Sequence, residues 1–482
     1  MGKELFVGID AGTTCLKTGI LDGDGGLVAR ASSEYTLSSP ESDWLEEAPA
    51  DWWDALIKTT REATKSIDVK KISGVCVGGQ GPTLVVIDEN GRILRPAITW
   101  MDTRAKSEHK ALSEKVGREI GPSFIPNLMW LRSNEPKAYK KARWFLQSFD
   151  YLNYMLTKNV FAAAPKKPFM PWPKELIETV DLDPTKFPQL RLTGDRVGVV
   201  CSEASERTGL PEGIPVFAGA ADFVCSLIGT GTTKKGRAFD MAGTSEGIIL
   251  CWDKPLADPD NRMQSFPHPI GDLWMIGGVM STAGKSLEWF KDNFYASESY
   301  EEIITKIEAI PPGADNLVFL PYLTGERSPI WDPRARGVFF GLSLRHTKDH
   351  LLRALMESNA YAMRQVYEII EEVGGKISEI RVCGGQARSD AWNMVKADVW
   401  GKRVLVPQVL DAELLGAAII ACWGNKNFRD LGEAAERMVK IQRVIEPNKA
   451  NYRTYTKLFK LYKKLYIDLK GDFAELSECG PS

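Results

Sequence analysis

No Cys-x-x-Cys pair occurs in this chain, and its four His (His109, His268, His346, His350) form no grouping with Cys at metal-ligand spacing. Zinc is therefore not expected. The eight Cys (Cys15, Cys76, Cys201, Cys225, Cys251, Cys383, Cys422, Cys479) are scattered, most of them in apolar surroundings such as Val75-Cys76-Val77. That pattern reads as buried free thiols in a reducing cytoplasm. Long hydrophobic runs are lacking too. A stretch such as residues 247–252 is far too short to span a bilayer. Charge of one sign is also absent: 61 Lys and Arg face 63 Asp and Glu, a formal net charge of −2. Neither nucleic acid nor an anionic membrane is expected as a partner. Met1-Gly2-Lys3-Glu4 leads straight into an apolar segment, so no signal peptide is expected and the cytoplasm is the expected location. No Gly-x-x-x-x-Gly-Lys-Ser/Thr is present, which excludes a P-loop enzyme. No Gly-x-Gly-x-x-Gly follows a strand, which argues against a dinucleotide dehydrogenase.

What is present begins with a turn that occurs twice. One copy is Gly8-Ile9-Asp10-Ala11-Gly12-Thr13-Thr14 and the other Phe239-Asp240-Met241-Ala242-Gly243-Thr244-Ser245. Each joins a short apolar run, an Asp, a Gly-Thr and a further hydroxyl. Gly permits a tight turn and close backbone approach, and successive N–H groups there can form an anion nest. Either copy alone reads equally as an ordinary hairpin. Two copies, one per half, suggest two related lobes gripping one polyphosphate. At 482 residues the chain exceeds what one core usually supports, so two large domains are expected. With 44% hydrophobic and 26% charged residues, its composition is that of an ordinary globular protein.

The pattern predicts strands at residues 5–10, 16–21 and 27–34, a helix at 49–67 and a strand at 72–77 leading to Gly78-Gly79-Gln80-Gly81. This is the order of a ribonuclease-H-like mixed sheet. The second half repeats it: strands at 237–241, 247–252 and 273–277, helices at 286–294 and 348–373, and a strand at 379–383 ending in Gly384-Gly385. Helices at 390–400 and 412–423 flank an extended segment at 402–406. An amphipathic helix at 447–472 is expected to pack on the surface. The domain boundary should fall near 230–240, dividing the chain into 1–236 and 237–482. Four Pro within residues 158–173 argue against regular structure there. That segment reads as a surface loop or as the lining of a cleft.

Several residues carry chemistry. Asp10 ends the first strand beside the Gly-Thr turn, where a carboxylate can hold Mg²⁺ against phosphates. Lys17 is either a phosphate contact or a solvated strand residue. Asp222 closes the apolar segment Pro215-Val216-Phe217-Ala218-Gly219-Ala220-Ala221. A carboxylate there is costly without a task. It reads as a helix N-cap, which spacing favours, or as the base of phosphoryl transfer to an alcohol. Gly384-Gly385-Gln386-Ala387-Arg388-Ser389 opens a helix and allows close approach by a flat ring such as adenine, with Ser389 at the helix start.

In this order the pieces resemble the FGGY family of carbohydrate kinases, within the actin/Hsp70/hexokinase-like ATPase superfamily. The most specific stretches run from Leu320-Pro321-Tyr322-Leu323-Thr324-Gly325-Glu326-Arg327-Ser328-Pro329 through Gly337, and from Gly384 to Trp392. Trp100-Met101-Asp102-Thr103-Arg104, Asp150-Tyr151-Leu152-Asn153 and Glu413-Leu414-Leu415-Gly416-Ala417-Ala418 support them. The resemblance implies an α/β fold of two ribonuclease-H-like domains with an interdomain cleft, and ATP-dependent phosphorylation of a small-molecule sugar or polyol. It implies ATP and Mg²⁺ as cofactors, with the metal at Asp10 and Asp222, and a homodimer as the default assembly. Gly12, Thr13, Thr14 and Lys17 would approach the phosphates, as would Gly243 and Thr244. Gly284 and Glu288 match nucleotide-contact positions, and Gly384, Gly385 and Ser389 match the adenosine pocket. Asp222 matches the catalytic base, reversing the preference from spacing alone. The 325–337 stretch would support lobe architecture.

Substrate positions depart from the family. Xylulokinases usually carry Gln-Met-His, and glycerol kinases Gln-Arg-Glu, where this chain has Gln80-Gly81-Pro82. Phe223 stands where an Asn or Gln usually follows the base. Gln80, Gly81, Trp100, Asp102, Asp222 and Phe223 are the candidate sugar-site residues, although Asp102 and Arg104 read equally as a structural pair. D-Xylulose is the first expected acceptor, with another ketose, a polyol or a sugar acid as the alternative. A non-catalytic actin-like scaffold is the alternative from another class; retention of both Asp10 and Asp222 counts against it.

Overall fold

The computed structural model describes residues 4–118, 120, 123–165 and 172–479. The chain divides into two units, 1–231 with 411–439, and 232–410 with 440–482. In the first unit the chain runs through β1 (Leu5–Ala11), β2 (Cys15–Asp22), β3 (Leu27–Glu34), α1 (Pro49–Thr64), β4 (Ile72–Gly79), α2 (Ser148–Thr157), β5 (Arg196–Val199), β6 (Pro215–Phe217) and α3 (Asp222–Gly229). These strands form one sheet in the order β5-β6-β4-β1-β2-β3. The hairpin β1–β2 is antiparallel, whereas β4 and β6 are reached by crossovers and lie parallel to β1 and β4. All seven residues of β1 are buried, as expected of a strand covered on both faces.

The second unit follows with β7 (Arg237–Ala242), β8 (Glu246–Trp252), β9 (Gln264–Pro267), β10 (Trp274–Met280), α4 (Gly284–Phe294), α5 (Lys348–Glu372), β11 (Glu379–Gly384), α6 (Asp390–Trp400) and β12 (Val404–Pro407). The chain then returns to the first unit as α7 (Ala412–Gly424) and α8 (Leu431–Met438). It re-enters the second as β13 (Ile441–Ile445) and α9 (Lys449–Glu478). The second sheet has the order β9-β10-β8-β7-β11-β12-β13. Its five strands β10-β8-β7-β11-β12 repeat β3-β2-β1-β4-β6 strand for strand, with the same parallel and antiparallel pairings. This is the two-domain actin/hexokinase-like ATPase fold.

Three features differ from the sequence expectation. The first unit is not one continuous segment ending at 236, because α7 packs onto it. The Cβ that Gly8 of β1 lacks would lie 2.2 Å from Leu414 O, and the one Gly416 lacks 1.9 Å from Cys225 O. Small residues let α7, α3 and β1 approach backbone to backbone. Helix α9 starts at Lys449 because the Asn448 side chain caps the Ala450 and Asn451 N–H groups. It is more than a surface helix: Tyr455, Phe459, Tyr462 and Tyr466 enter the core of the second unit. Within 158–173, Ala162–Ala164 forms a strand paired with Leu190–Leu192, and Trp172 is buried against Phe124 and Phe187. Residues 166–171 of that segment lie outside the described residues. Among the described residues no helix is long and apolar enough to cross a membrane.

Candidate active site

Strand register builds the acidic centre of the first unit. Asp10 and Lys17 are direct partners across the β1–β2 hairpin, and Lys17 Nζ lies 3.5 Å from Asp10 Oδ2. The same ammonium is 3.8 Å from Asp411 Oδ1, just before α7, and Asp411 is also held by Arg30 at 2.8 Å. Asp10 is 3% exposed, and its Oδ1 is buried without a hydrogen-bond partner. Burial outweighs the attraction of Lys17 and pushes the Asp10 carboxyl up to about 6. Burial works to lower the Lys17 pKa, but Asp10, Glu413 and Asp411 together overcome it and raise it, so the ammonium stays charged.

Asp222 is the first residue of α3; Ala221 is the N-cap, so the carboxylate is not the cap that spacing suggested. Its Oδ1 accepts from the Phe223 N–H at 2.6 Å. Burial first, and the Asp10 charge second, push its carboxyl up to about 7. The N-terminal end of α3 is tied to the sheet through Gly79, whose N–H donates to Ala220 O. Phe223 is half-buried.

The first Gly-Thr turn is braced from outside the hairpin. Gly12 N–H donates to Cys15 O at 3.1 Å, the Tyr35 hydroxyl donates to Gly12 O, and the exposed Trp100 indole donates to Thr13 Oγ1 at 3.0 Å. Thr14 is exposed. Trp100 thus stands beside the first Gly-Thr turn. Gln80 is fully buried, with its Nε2 donating to Glu47 Oε2 at 2.7 Å and its N–H to Ala11 O. It supports the turn from below, and its amide is not presented to solvent. Asp102 is likewise inside: its side chain is 0% exposed and accepts from Leu45 N–H and from Arg104, which also binds Glu46 and lies over Trp44. Of the two readings of Asp102, the geometry is that of a structural pair. Gly81 is partly exposed and sits beside Ala221.

Sequence reasoning did not find Glu47. It is 1% exposed, accepts from Trp52 and Gln80 on one oxygen, and leaves the other unpartnered. Burial raises it to about 7, against those two hydrogen bonds. Asp411 carries no sequence signal either, and Glu413 stands out in the sequence only as part of the Glu413-Leu414-Leu415-Gly416 motif. Neither has a local signal, because their partners lie at the far end of the chain.

In the second unit the second turn is docked on the start of α4. Gly243 O and Thr244 O accept from the N–H groups of Gly284 and Ala283 at 2.9 and 3.0 Å. A Cβ on Gly284 would fall 2.3 Å from Gly243 O, so glycine there serves packing. Gly243 is different. Its φ is not left-handed, and a Cβ would meet nothing closer than 4.0 Å. The same split holds at the Gly-Gly pair. Gly384 has φ 83° and would place a Cβ 2.4 Å from Ala242 O, whereas Gly385 has open space and a helical φ of −63°. Ser389 caps α6 by accepting from Trp392 N–H. Glu288 pairs with Lys285 at 2.9 Å on the surface.

The two Asp of the repeated turn are not equivalent. Asp10 is two residues before Gly12 and Asp240 three before Gly243, so on an alternating strand they take opposite faces. Asp240 is fully buried in a triad with Lys396 and Glu246, at 2.5 and 3.0 Å from the Lys396 ammonium. Burial, and then the Asp240 charge, push Glu246 up to about 8. This triad fastens α6 to both strands flanking the turn.

Comparisons with known proteins agree on one family. The N-terminal domain model of the FGGY family of carbohydrate kinases matches residues 5–229, and the C-terminal domain model matches residues 240–424. The chain is 31% identical over 487 residues to a xylulose kinase of Bacillus subtilis, covering 97% of each. It is 29% identical over 486 residues to a gluconokinase of the same organism, covering 94% of each. The crystal structure of gluconate kinase from Lactobacillus acidophilus superimposes with a TM-score of 0.87 at 25% identity, over 98% of this chain and 100% of that one.

Proposed function

We propose, from the premise that this chain belongs to the FGGY family of carbohydrate kinases and is thus an ATP-dependent sugar kinase, that its acceptor is a neutral ketose, with D-xylulose first. The observation that carries the phosphoryl-transfer chemistry is Asp222 at the head of α3, a carboxyl that burial and Asp10 push up to about 7. A general base is most effective when its pKa lies near the working pH. Asp222 takes the proton of the acceptor hydroxyl as that oxygen bonds to the γ-phosphorus of ATP. The bond from the γ-phosphorus to the bridging oxygen breaks, and ADP leaves. By the family pattern, Gly12, Thr13, Thr14 and Lys17 approach the phosphates, and Gly243 and Thr244 are phosphate-contact positions as well. Gly385 and Ser389 border the adenosine, and Gly284 acts through the turn it supports.

Asp10 and Asp222 fit Mg²⁺ in donor chemistry. Both are hard oxygen donors, and Asp10 Oδ1 is a buried oxygen that lacks a partner. Among the described residues no three His, Cys, Asp or Glu side chains are grouped for a metal. Mg²⁺ held by one or two carboxylates together with phosphates and water needs no such group. Bound there, it supplies neutralisation of phosphate charge.

The charges bearing on Asp222 are Asp10, Glu413 and Lys17, two acids to one base. That balance favours a neutral acceptor over one carrying a carboxylate. The test is a coupled ADP-release screen over ketopentoses, ketohexoses, polyols and aldonates. D-Xylulose is expected to give the largest kcat/KM. A preference for gluconate would overturn the neutral-acceptor reading.

A further inference from the structure

At residue 81, beside Ala221, which precedes Asp222, the polypeptide has no side chain, and another residue fills the space. A Cβ on Gly81 would lie 2.9 Å from Gln147 Oε1, 3.8 Å from Phe149 Cε1 and 3.9 Å from Ala221 Cβ. The Gln147 carboxamide therefore fills the volume that a longer residue 81 would occupy, next to the residue preceding Asp222. Gln147 is only 7% exposed, and three contacts fix the head of α2 that carries it. It forms a reciprocal capping box with Asp150 at the start of α2. Its carbonyl accepts from Tyr151 N–H at 3.0 Å. The adjoining Ser148 hydroxyl donates to Gln80 O at 2.7 Å, locking the head of α2 onto the 79–81 segment. The cap engages the carboxamide oxygen. Among the described residues no hydrogen bond engages the carboxamide nitrogen, which leaves its N–H groups available to a ligand.

We infer that Gln147 is a specificity-determining residue at the acceptor end: its Nε2 donates a hydrogen bond to a sugar oxygen near the hydroxyl that Asp222 deprotonates, replacing the side chain that Gly81 lacks. The inference rests on the kinase reading with Asp222 as base. It names a substrate class, an acceptor carrying a second hydroxyl or carbonyl oxygen close to the phosphorylated one. A simple monohydric alcohol lacks that oxygen.

The test pairs the enzyme with singly deoxygenated analogues of its best sugar. For the wild type, one analogue should lose about 10–100-fold in kcat/KM, the size of one hydrogen bond to a buried donor. In Gln147→Ala the parent sugar should fall by the same factor, and the gap between sugar and that analogue should close. KM for ATP should stay within twofold. Gln147→Glu keeps an oxygen for the cap but removes the donor, and it should behave as Gln147→Ala with an unchanged thermal midpoint. Closure of the gap cannot come from a merely structural role. Variants that keep the wild-type gap for every analogue overturn the inference and leave the kinase reading standing. A wild type that phosphorylates no sugar brings both down.

Discussion

Asp222, its carboxyl pushed up to about 7 by burial, changes charge near neutral pH, and that has two consequences of opposite sign. As a base it acts only when deprotonated, so kcat/KM should fall tenfold per unit below about 7. A pH-rate profile of the coupled assay checks this; a limb near the ordinary carboxylate value of 3.8 would contradict it. For stability the folded carboxyl titrates above the unfolded one. The folded state holds the extra proton between 3.8 and about 7, so stability falls as pH rises through that window. Asp222→Asn removes the buried charge. Turnover should drop by about 10²–10⁴-fold, while the thermal midpoint should exceed wild type at pH 8 and match it at pH 3.5. The base role proposed for Asp222 comes from its neighbours in the family pattern, since spacing alone argues for a cap, and the structure gives the cap to Ala221. Asp102 was legible as one half of a pair, and geometry decides which reading holds. Glu47 and Asp411 were not legible: Asp411 binds Arg30 across 381 positions, and no local pattern encodes such a partner.

At the scale of elements, the four glycines proposed for the nucleotide side of the second unit separate into two kinds. Gly284 and Gly384 are needed by the backbone around them, whereas Gly243 and Gly385 face space that no described residue fills. Gly384→Ala combines a left-handed φ with a backbone collision and should cost about 1–3 kcal/mol. Gly243→Ala should leave stability within about 0.5 kcal/mol of wild type. It should nevertheless raise the KM for ATP about tenfold, equivalent to about 1.4 kcal/mol, because the added methyl enters the space of the phosphates. Thermal melts and ATP titration calorimetry on the two variants separate the cases; equal ATP affinity in Gly243→Ala and wild type would remove the turn from the nucleotide site. The hairpins themselves were legible, since apolar alternation and Gly-Thr are local signals. That the Asp of the second copy turns to the other face was also present in the spacing, as one extra residue before the glycine. The Lys396 that receives it lies on a helix 156 residues away and left no such trace.

For the whole molecule, the chain path decides what can fold alone. The chain passes from one unit to the other at 231/232, back at 410/411 and across again at 439/440. The segment that returns is indispensable to the first sheet. Leu414, Leu415, Ile419 and Ile420 of α7 are at most 1% exposed, each worth about 1.5–3 kcal/mol on burial. Gly8, Gly229 and Gly416 lie where backbones touch. Removing α7 would open one face of β1 and β4 to water and release Asp411 from Lys17 and Arg30. Losses of this size are comparable to the net stability of a whole domain. A fragment of residues 1–236 should therefore show no cooperative thermal transition, despite carrying every strand of its sheet. Joining 1–231 to 411–439 through a flexible Gly/Ser linker should restore one, with hydrogen-exchange protection returning to β1 and β4. If the 1–236 fragment melts cooperatively by itself, α7 is an accessory to that core and the first unit ends where the sequence pattern placed its boundary.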